Sequence, residues 1–355
     1  MRASLRQLVL NYLATMALIV TAYVFYTQVP HYAQWFSSIH HLPFGVRIDD
    51  KQILLGFVLL YAIGLIPYYA TFDDAVVTKS RRVWNALLKL PRARPSPEEK
   101  VALLSATVRV FFLPLMVVWL FAHLASIYHH GLVFIDRDLF FPNGYWFLFN
   151  LILLVDVTYF TLGYALEHPR LNNEIRSVEP WFSGWFVALM CYPPFNGATN
   201  QILQWHSSDY PQATDPLWQY AAGIAILLLM GIYAWASVAL GLKASNLTNR
   251  GIVSRGPYAY VRHPAYCAKT LAWWIGALPI LANKWQESEI AFLYGVFCVG
   301  GWSVIYYLRA MTEERHLSLD PDYPAYCKQV TRRFLPAWDD LRQGGAPALR
   351  KSSGT

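Results

Sequence analysis

Two short charged clusters near the C-terminus have residue types suited to binding a small charged molecule. Arg262-His263 directly precedes Pro264, and proline is favoured as the first residue of a helix. Free backbone N–H groups at a helix start, together with a guanidinium, bind carboxylates or phosphates. Glu313-Glu314 closes an apolar stretch. Adjacent residues on a helix point about 100° apart, so we expect these carboxylates to have separate partners.

The position of Glu313-Glu314 at the end of a predicted helix requires compensation. The helix dipole disfavours carboxylates at a C-terminus, so we expect a cationic group beside them. An anion site next to paired carboxylates suits a zwitterionic ligand, such as the amino-acid end of a cofactor. The elements that carry the two clusters must therefore bring them to one place.

Composition indicates that these elements are membrane helices. The chain has 355 residues, of which 55% are hydrophobic and 14% charged, whereas soluble domains carry about 25% charged residues. Aromatic residues reach 16%, with 14 Trp and 23 Tyr, which suits the aromatic belts at membrane interfaces. The profile excludes disordered, collagen-like, coiled-coil and disulfide-stapled secreted proteins.

The hydropathy pattern predicts an all-α, polytopic membrane helix bundle of about eight transmembrane helices, because a span takes about 20 apolar residues. The fifth stretch ends at Pro193-Pro194, which breaks a helix, so it could re-enter or stop early. The predicted spans are 7–29, 52–70, 101–127, 144–166, 181–203, 216–242, 264–282 and 289–311.

The loop charges predict the orientation of these spans. Lys and Arg are abundant in every second loop and sparse in the others, so we expect both termini, and both charged clusters, on the cytoplasmic side. We therefore attribute the net charge of +7 to contact with the anionic lipids of the bilayer and not to nucleic-acid binding. The segment 78–100 also reads as a basic amphipathic surface helix.

We divide the chain into three regions. Residues 1–215 form an N-terminal transmembrane region of about five spans, 216–340 a C-terminal membrane core and 341–355 a disordered tail. Arg109 and Asp156 are the ionisable residues deepest in the predicted spans, and we predict that they pair.

We predict no metal site. The four cysteines form no C-x-x-C pair, and the adjacent histidines of the two His-His pairs lack the i, i+4 spacing of a helical metal site.

The two clusters also resemble a known family. Arg262-His263-Pro264-x-Tyr266 and Glu313-Glu314, together with Gly256-Pro257-Tyr258 and Asp322-Tyr323-x-x-Tyr326, look like the isoprenylcysteine carboxyl methyltransferase and phospholipid methyltransferase family of integral membrane enzymes. The resemblance covers about residues 240–338. Ala268 stands where a glycine is common, and Asp320-Pro321 where Phe-Gly is common.

The resemblance implies a membrane methyltransferase that uses S-adenosylmethionine. The cofactor is then bound between the two clusters and covered by the segment that follows Glu313-Glu314. The acceptor is then a lipophilic small molecule or lipid with a carboxylate, amine or thiol. The expected catalytic residues are Arg262, His263 and Glu314. The expected cofactor-binding residues are Tyr258, Arg262, His263, Tyr266, Glu313, Glu314 and Tyr323.

Two alternatives remain open at this point. Sterol-type membrane reductases share an Arg-His-Pro-containing core and use NADPH, whose 2′-phosphate could be bound by Arg250, Arg255, Arg332 and Arg333. A non-catalytic transporter or lipid-binding protein would suit a discontinuous helix near Pro193-Pro194, although no internal repeat is evident.

Overall fold

The protein is helical, as expected. Its chain divides into two compact units, with the boundary between Tyr128 and His129. The computed structural model describes residues 4–72, 77–90, 92–137, 140–213 and 215–336. The predicted disordered tail, 341–355, lies outside these residues, and the predicted functional division at residue 215 stays a prediction.

The first unit contains long apolar helices and a short hairpin. Helix α3 begins with a reciprocal cap in which Asp49 and Gln52 bond each other's backbone. The basic helix predicted within 78–100 is present as α4, and its Trp84 Nε1 donates to the Ala14 carbonyl of α1 at 2.8 Å. The elements are α1 Leu5–Gln28, α2 Pro30–Trp35, β1 Ile39–His41, β2 Arg47–Asp49, α3 Asp50–Tyr69, α4 Lys79–Lys89 and most of α5 Pro97–Arg137, whose residues from His129 onward belong to the second unit.

The second unit carries both charged clusters. Pro216 and Pro264 stand at the first positions of α9 and α10, where a missing N–H costs nothing. Its elements are α6 Tyr145–Ala165, β3 Ser177–Val178, α7 Phe182–Leu189, α8 Phe195–Ile202, α9 Pro216–Leu240, β4 Thr248–Asn249, α10 Pro264–Glu287, α11 Glu289–Leu317 and α12 Tyr323–Gln329.

Seven helices in the described part of the chain are long and apolar enough to cross a membrane: α1, α3, α5, α6, α9, α10 and α11. Large apolar side chains on them stay exposed, among them Ile63 at 71% and Leu228 at 66%. Exposure on this scale is costly in water and favourable against lipid tails. The protein is therefore an integral, multi-pass membrane protein.

The predicted fifth span, 181–203, is not a single helix. It consists of α7 and α8, separated by a turn at Pro193-Pro194, because proline lacks the donor and the space that a continuing helix needs. Seven of the eight predicted spans are thus single long helices in the described residues, and the fifth is this broken segment.

The broken segment nevertheless crosses the unit. Helices α6 and α9 run parallel: the ring of Phe141, just before α6, lies 4.9 Å from that of Tyr220 near the start of α9. At the other end Asn246, just after α9, donates its N–H to Tyr164 Oη of α6 at 2.7 Å. The chain between two parallel neighbours must return across the bundle.

Contacts with α11 show the path of this return. Three residues of the returning chain contact α11 in turn: Glu179 lies beside Arg315, the Leu203 carbonyl accepts from Trp302 Nε1, and the His206 ring packs against that of Tyr294. Arg315 and Tyr294 lie on the order of 30 Å apart along a helix, which matches the hydrocarbon thickness. Gly276 of α10 makes room for this path, because a Cβ there would clash with the Ser208 carbonyl.

Asp156 of α6 lies buried inside the second unit. Tyr233 Oη of α9 donates to its carboxylate at 3.0 Å, and Ser237 Oγ of α9 donates to its other oxygen. These donors satisfy both oxygens of a carboxylate that lies in a membrane helix. The predicted pairing with Arg109, which belongs to the first unit, stays a prediction.

Candidate active site

The start of α10 and the end of α11 bring the two charged clusters together. Glu314 Oε1 lies 3.2 Å from Arg262 Nη1 and 3.1 Å from His263 Nε2. The other oxygen, Oε2, accepts from Arg333 Nε at 3.1 Å. The cationic compensation expected beside the glutamates is therefore present, supplied by Arg262 and Arg333.

The two adjacent glutamates have separate partners, as their angular separation on the helix predicts. Glu313 Oε2 accepts a hydrogen bond from Tyr266 Oη at 2.9 Å, whereas Glu314 binds Arg262, His263 and Arg333. The side chain of Glu314 is 10% exposed. Glu314 thus holds the site together, and Glu313 presents its carboxylate to the space beside it.

The segment after α11, which we call the tail (residues 318–336), is fixed to the start of α10 through the backbone. Arg262 N–H donates to the Arg332 carbonyl at 3.0 Å and His263 N–H to the Arg333 carbonyl at 2.8 Å. Burial lowers the pKa of the Arg262 guanidinium, but the Glu314 carboxylate, Cys327 and Tyr323 together outweigh this effect, and the net pKa is raised. Arg262 therefore stays charged.

Asp320, at the position where the sequence departs from the family pattern, binds the tail to residues in and beside strands β3 and β4. Its Oδ2 accepts from Asn249 Nδ2 at 2.7 Å and Arg176 Nη1 at 3.0 Å. Tyr326 Oη donates to the Tyr258 carbonyl at 2.9 Å. The departure at Asp320-Pro321 thus leaves the tail anchored.

A first cleft, the tyrosine cleft, has a volume of about 620 Å³, including space open to solvent. Burial raises the pKa of Tyr258, Tyr323 and Tyr326, so their hydroxyls stay protonated. Its lining includes Lys243, Ser245, Thr248, Arg250, Tyr258, Arg262, His263, Glu313, Leu317, Tyr323 and Tyr326.

A second cleft, the carboxylate cleft, has a volume of about 470 Å³. Glu313, Ser245, Thr248 and Leu317 line both clefts, so the two adjoin at these residues. The lining of the carboxylate cleft includes Glu179, Gly184, Ala188, Ser245, Asn246, Thr248, Tyr266, Arg309, Thr312, Glu313, His316 and Leu317.

Arg309 forms the cationic part of the carboxylate cleft. Its guanidinium carbon lies 5.1–5.5 Å from the ring centroids of Tyr192, Tyr266 and Tyr306, within cation–π range. Its Nη2 donates to Asn246 Oδ1 at 3.1 Å. The aromatic box fixes the guanidinium about one helical turn deeper than Glu313.

The segment 173–181, which the motifs did not explain, forms one wall of the site. Strand β3 pairs with β4, Ser177 Oγ lies 2.9 Å from His316 Nε2, and the Asn173 carbonyl accepts from Arg250 Nη1 at 2.8 Å. The residues of this segment match no recognisable motif. The sequence feature that could have indicated Glu179 is its position just before an apolar stretch.

The structure places the predicted site residues as follows. Tyr258, Arg262, His263 and Tyr323 line the tyrosine cleft, Tyr266 the carboxylate cleft and Glu313 both. Glu314 is not among the described residues that line either cleft. Its carboxylate contacts Arg262 and His263, which line the tyrosine cleft. Glu179 and Asn246, which line the carboxylate cleft, were not among the predicted site residues. Within the described chain, no three His, Cys, Asp or Glu residues group as a metal site.

Comparisons with known proteins bear on this region. No curated protein and no solved structure matched the chain. Residues 223–318 match the model of the isoprenylcysteine carboxyl methyltransferase (ICMT) family. The matched segment includes Arg262-His263-Pro264 and Glu313-Glu314 and ends before Tyr323. The resemblance drawn from the motifs is thereby confirmed for residues 223–318, in the C-terminal third of this multi-pass membrane protein.

Proposed function

We propose that the protein transfers a methyl group from S-adenosylmethionine to a lipophilic acceptor at the cytoplasmic face of a membrane. The observation that carries the proposal is the convergence of Arg262 and His263 with Glu313 and Glu314 at two adjoining clefts. Anion-binding and cation-binding groups thus face one space, as a ligand with an ammonium and a carboxylate requires.

The residues present fit the charged end of this cofactor. Arg262 Nε is buried and has no hydrogen-bond partner among the described residues, and an orphaned buried donor indicates a missing acceptor. We assign the methionine carboxylate to Arg262 and the α10 N-terminus, and the ammonium or the ribose hydroxyls to Glu313. Tyr258 and Tyr323 form walls of the same cleft.

S-adenosylmethionine, when bound, supplies a methyl group already activated by a positively charged sulfur. The chain's own task is then to orient the acceptor and to exclude water. Glu314 orients Arg262 and His263, and the anchored tail covers the tyrosine cleft. A carboxylate or thiolate acceptor needs no base, whereas an amine acceptor must lose a proton.

A lipophilic acceptor is favoured by the position of the carboxylate cleft. Its lining extends from Glu179 into the helices, to Ala188 on α7 and Arg309 on α11. Since the same helices expose apolar side chains outward, an acceptor dissolved in the bilayer can approach sideways.

The cytoplasmic orientation is supported by charge. The loops and tail at the site end carry Arg170, Arg176, Lys243, Arg250, Arg255, Arg262, Arg315, Lys328, Arg332 and Arg333, whereas the end of α10 on the opposite side carries Lys284 in its last turn. This asymmetry follows the positive-inside rule.

The reductase alternative is less well supported. Arg255 Nε donates to the Ala239 carbonyl, Arg333 Nε to Glu314, and Arg250 to Ser245 and Asn173. Groups already bound to the protein are less available for a 2′-phosphate.

The experiment is transfer of radiolabelled methyl from S-adenosylmethionine into a total lipid extract, with the purified protein in detergent and identification of the labelled species. Parallel calorimetric titrations use S-adenosylmethionine and NADPH. We expect label in a lipid species and binding of the first compound alone. Binding of NADPH without S-adenosylmethionine would favour the reductase, and binding of neither a non-catalytic role.

A further inference from the structure

The carboxylate cleft has an excess of negative charge. Glu179 and Glu313 both line it, against the single guanidinium of Arg309 among its lining residues. Arg309 already donates to Asn246 and lies within three tyrosine rings. A cleft with two carboxylates and an already occupied cation favours a positively charged ligand.

Glu179 is held rigidly against this cleft. Its backbone N–H donates to the Leu247 carbonyl at 2.8 Å, and its own carbonyl accepts from Trp185 Nε1 at 2.8 Å. Its side chain is 2% exposed. Gly184 leaves the space for this carboxylate, because a Cβ at that position would clash with it.

Both hydrogen bonds of the Glu179 carboxylate fall on Oε1, so Oε2 has none among the described residues and can receive a ligand. Oε1 accepts from Trp181 N–H at 3.0 Å, and Arg315 Nη2 is 3.5 Å away, at the limit of a hydrogen bond. Arg315 binds more closely elsewhere: it donates to Ser183 Oγ at 2.9 Å and lies 4.1 Å from the centroid of the Trp181 ring.

Glu179 also lies apart from the cofactor residues. It lines the carboxylate cleft and not the tyrosine cleft, and it precedes the region 223–318 that matches the family model. The two clefts meet at Glu313. A group bound at Glu179 therefore lies across the junction from a molecule in the tyrosine cleft.

We propose that Glu179 binds the ammonium group of the methyl acceptor and takes its proton, so that the acceptor is a lipophilic amine. The inference rests on the proposed function and names its substrate class. Carboxylate and thiolate acceptors would need neither a base nor a second carboxylate in this cleft.

The step balances as follows. The ammonium group of the acceptor gives one proton to the Glu179 carboxylate and becomes a neutral amine. The amine lone pair forms a bond to the methyl carbon while the bond from that carbon to the sulfonium sulfur breaks. The electron pair of the broken bond stays on sulfur, which becomes a neutral thioether, and the nitrogen becomes a methylated ammonium.

The surroundings of Glu179 support this role. Burial raises the pKa of its carboxyl, and the Trp181 N–H and Arg315 partly oppose the rise, which moves the group toward the range of a useful base. The titratable and charged groups that line the same cleft or contact Glu179 come from α10 and α11: Tyr266, Arg309, Glu313, Arg315 and His316.

The test compares three variants with the wild type in detergent. Glu179→Gln keeps the shape and an acceptor for Trp181 N–H but removes the base. Glu179→Asp retains a carboxylate. Glu174→Gln is the matched control, because Glu174 lies exposed in the same segment and outside both clefts. The acceptor probes are dodecylamine and, with the same chain length, laurate.

We expect the wild type to methylate dodecylamine in preference to laurate. Glu179→Gln should lower kcat/KM for dodecylamine by at least about 100-fold at neutral pH, with partial recovery in Glu179→Asp and no change in Glu174→Gln. The acidic limb of the pH profile of kcat/KM should be lost in Glu179→Gln. Equilibrium binding of radiolabelled dodecylamine, measured without cofactor, should weaken in the same variant.

Three outcomes would overturn the inference. They are methylation of laurate but not dodecylamine, an unchanged pH profile in Glu179→Gln, and weaker binding of S-adenosylmethionine in Glu179→Gln with dodecylamine binding intact. If the wild type binds no S-adenosylmethionine at all, the proposed function itself fails. The calorimetric titration of the wild type therefore separates the two failures.

Discussion

Glu313 and Glu314 are neighbours in the chain with opposite surroundings. Glu314 is enclosed by Arg262, His263 and Arg333, whereas Glu313 has one hydrogen bond from Tyr266 and faces both clefts. A carboxylate satisfied by protein cations stabilises the fold, and one facing a cleft is available to a ligand. Substitution should therefore separate the two roles.

We expect Glu314→Gln to destabilise the protein by on the order of 3 kcal/mol, because it leaves the buried guanidinium of Arg262 without its counter-charge. Thermal unfolding in detergent should show a lower Tm. Glu313→Gln should leave Tm nearly unchanged and weaken S-adenosylmethionine binding by about tenfold, or roughly 1.4 kcal/mol. Equal effects of the two variants on both measurements would contradict this division.

At the scale of elements, the return of the chain between α6 and α9 depends on close backbone approach. Gly276 of α10 faces the Ser208 carbonyl, and Ser207 Oγ donates to the Trp273 carbonyl at 2.7 Å. Gly231 of α9, by contrast, has open space where a Cβ would stand. The two glycines are a matched pair in neighbouring membrane helices.

We expect Gly276→Ala to lower Tm, because its methyl group must displace the backbone at Ser208. Gly231→Ala should leave Tm unchanged or raise it slightly, since alanine is better than glycine in a helix by about 0.5–1 kcal/mol. Thermal unfolding of both variants in the same detergent checks the pair. A similar response of both would mean that the backbone at Ser208 does not constrain α10.

The sequence predicted the elements that have a clear hydropathy pattern or a residue that marks a helix end. Seven of the eight apolar stretches are helices, and Pro264 begins α10 as expected. The broken fifth segment was marked by Pro193-Pro194, but its path depends on the parallel arrangement of α6 and α9, which no local pattern encodes.

The same reasoning applies to the site. Arg262, His263, Glu313 and Glu314 could be found because they cluster locally and resemble a family motif. Glu179 and Asn246 could not, because their place in the carboxylate cleft follows from the pairing of β3 with β4 across about seventy residues of chain. Such long-range pairings are fixed by tertiary packing rather than local propensity.

At the scale of the whole molecule, the orientation in the membrane is open to direct measurement. Glu174 lies at the site end of the second unit, and Gln286 lies at the opposite end near the α10–α11 turn; both are exposed. Single cysteines can be introduced at these positions after the four native cysteines are replaced.

We expect Gln286→Cys to react with a membrane-impermeant maleimide in intact cells, and Glu174→Cys to react only after permeabilisation. The physical reason is the concentration of basic residues at the site end, which stays on the cytoplasmic side. Mass tagging on a gel gives the measurement. The reverse pattern would place the clefts on the other face and remove the cytoplasmic part of the proposed function.

The attachment of the tail to α10 also has a consequence for biosynthesis. The carbonyls of Arg332 and Arg333 complete the geometry of Arg262 and His263, so the site depends on residues that are synthesised after α11. The seven membrane helices of the described residues all precede Arg332 in the chain, so they can be inserted while the site is still incomplete. A nascent or prematurely terminated chain that stops short of Arg332 should sit correctly in the bilayer and yet remain inert.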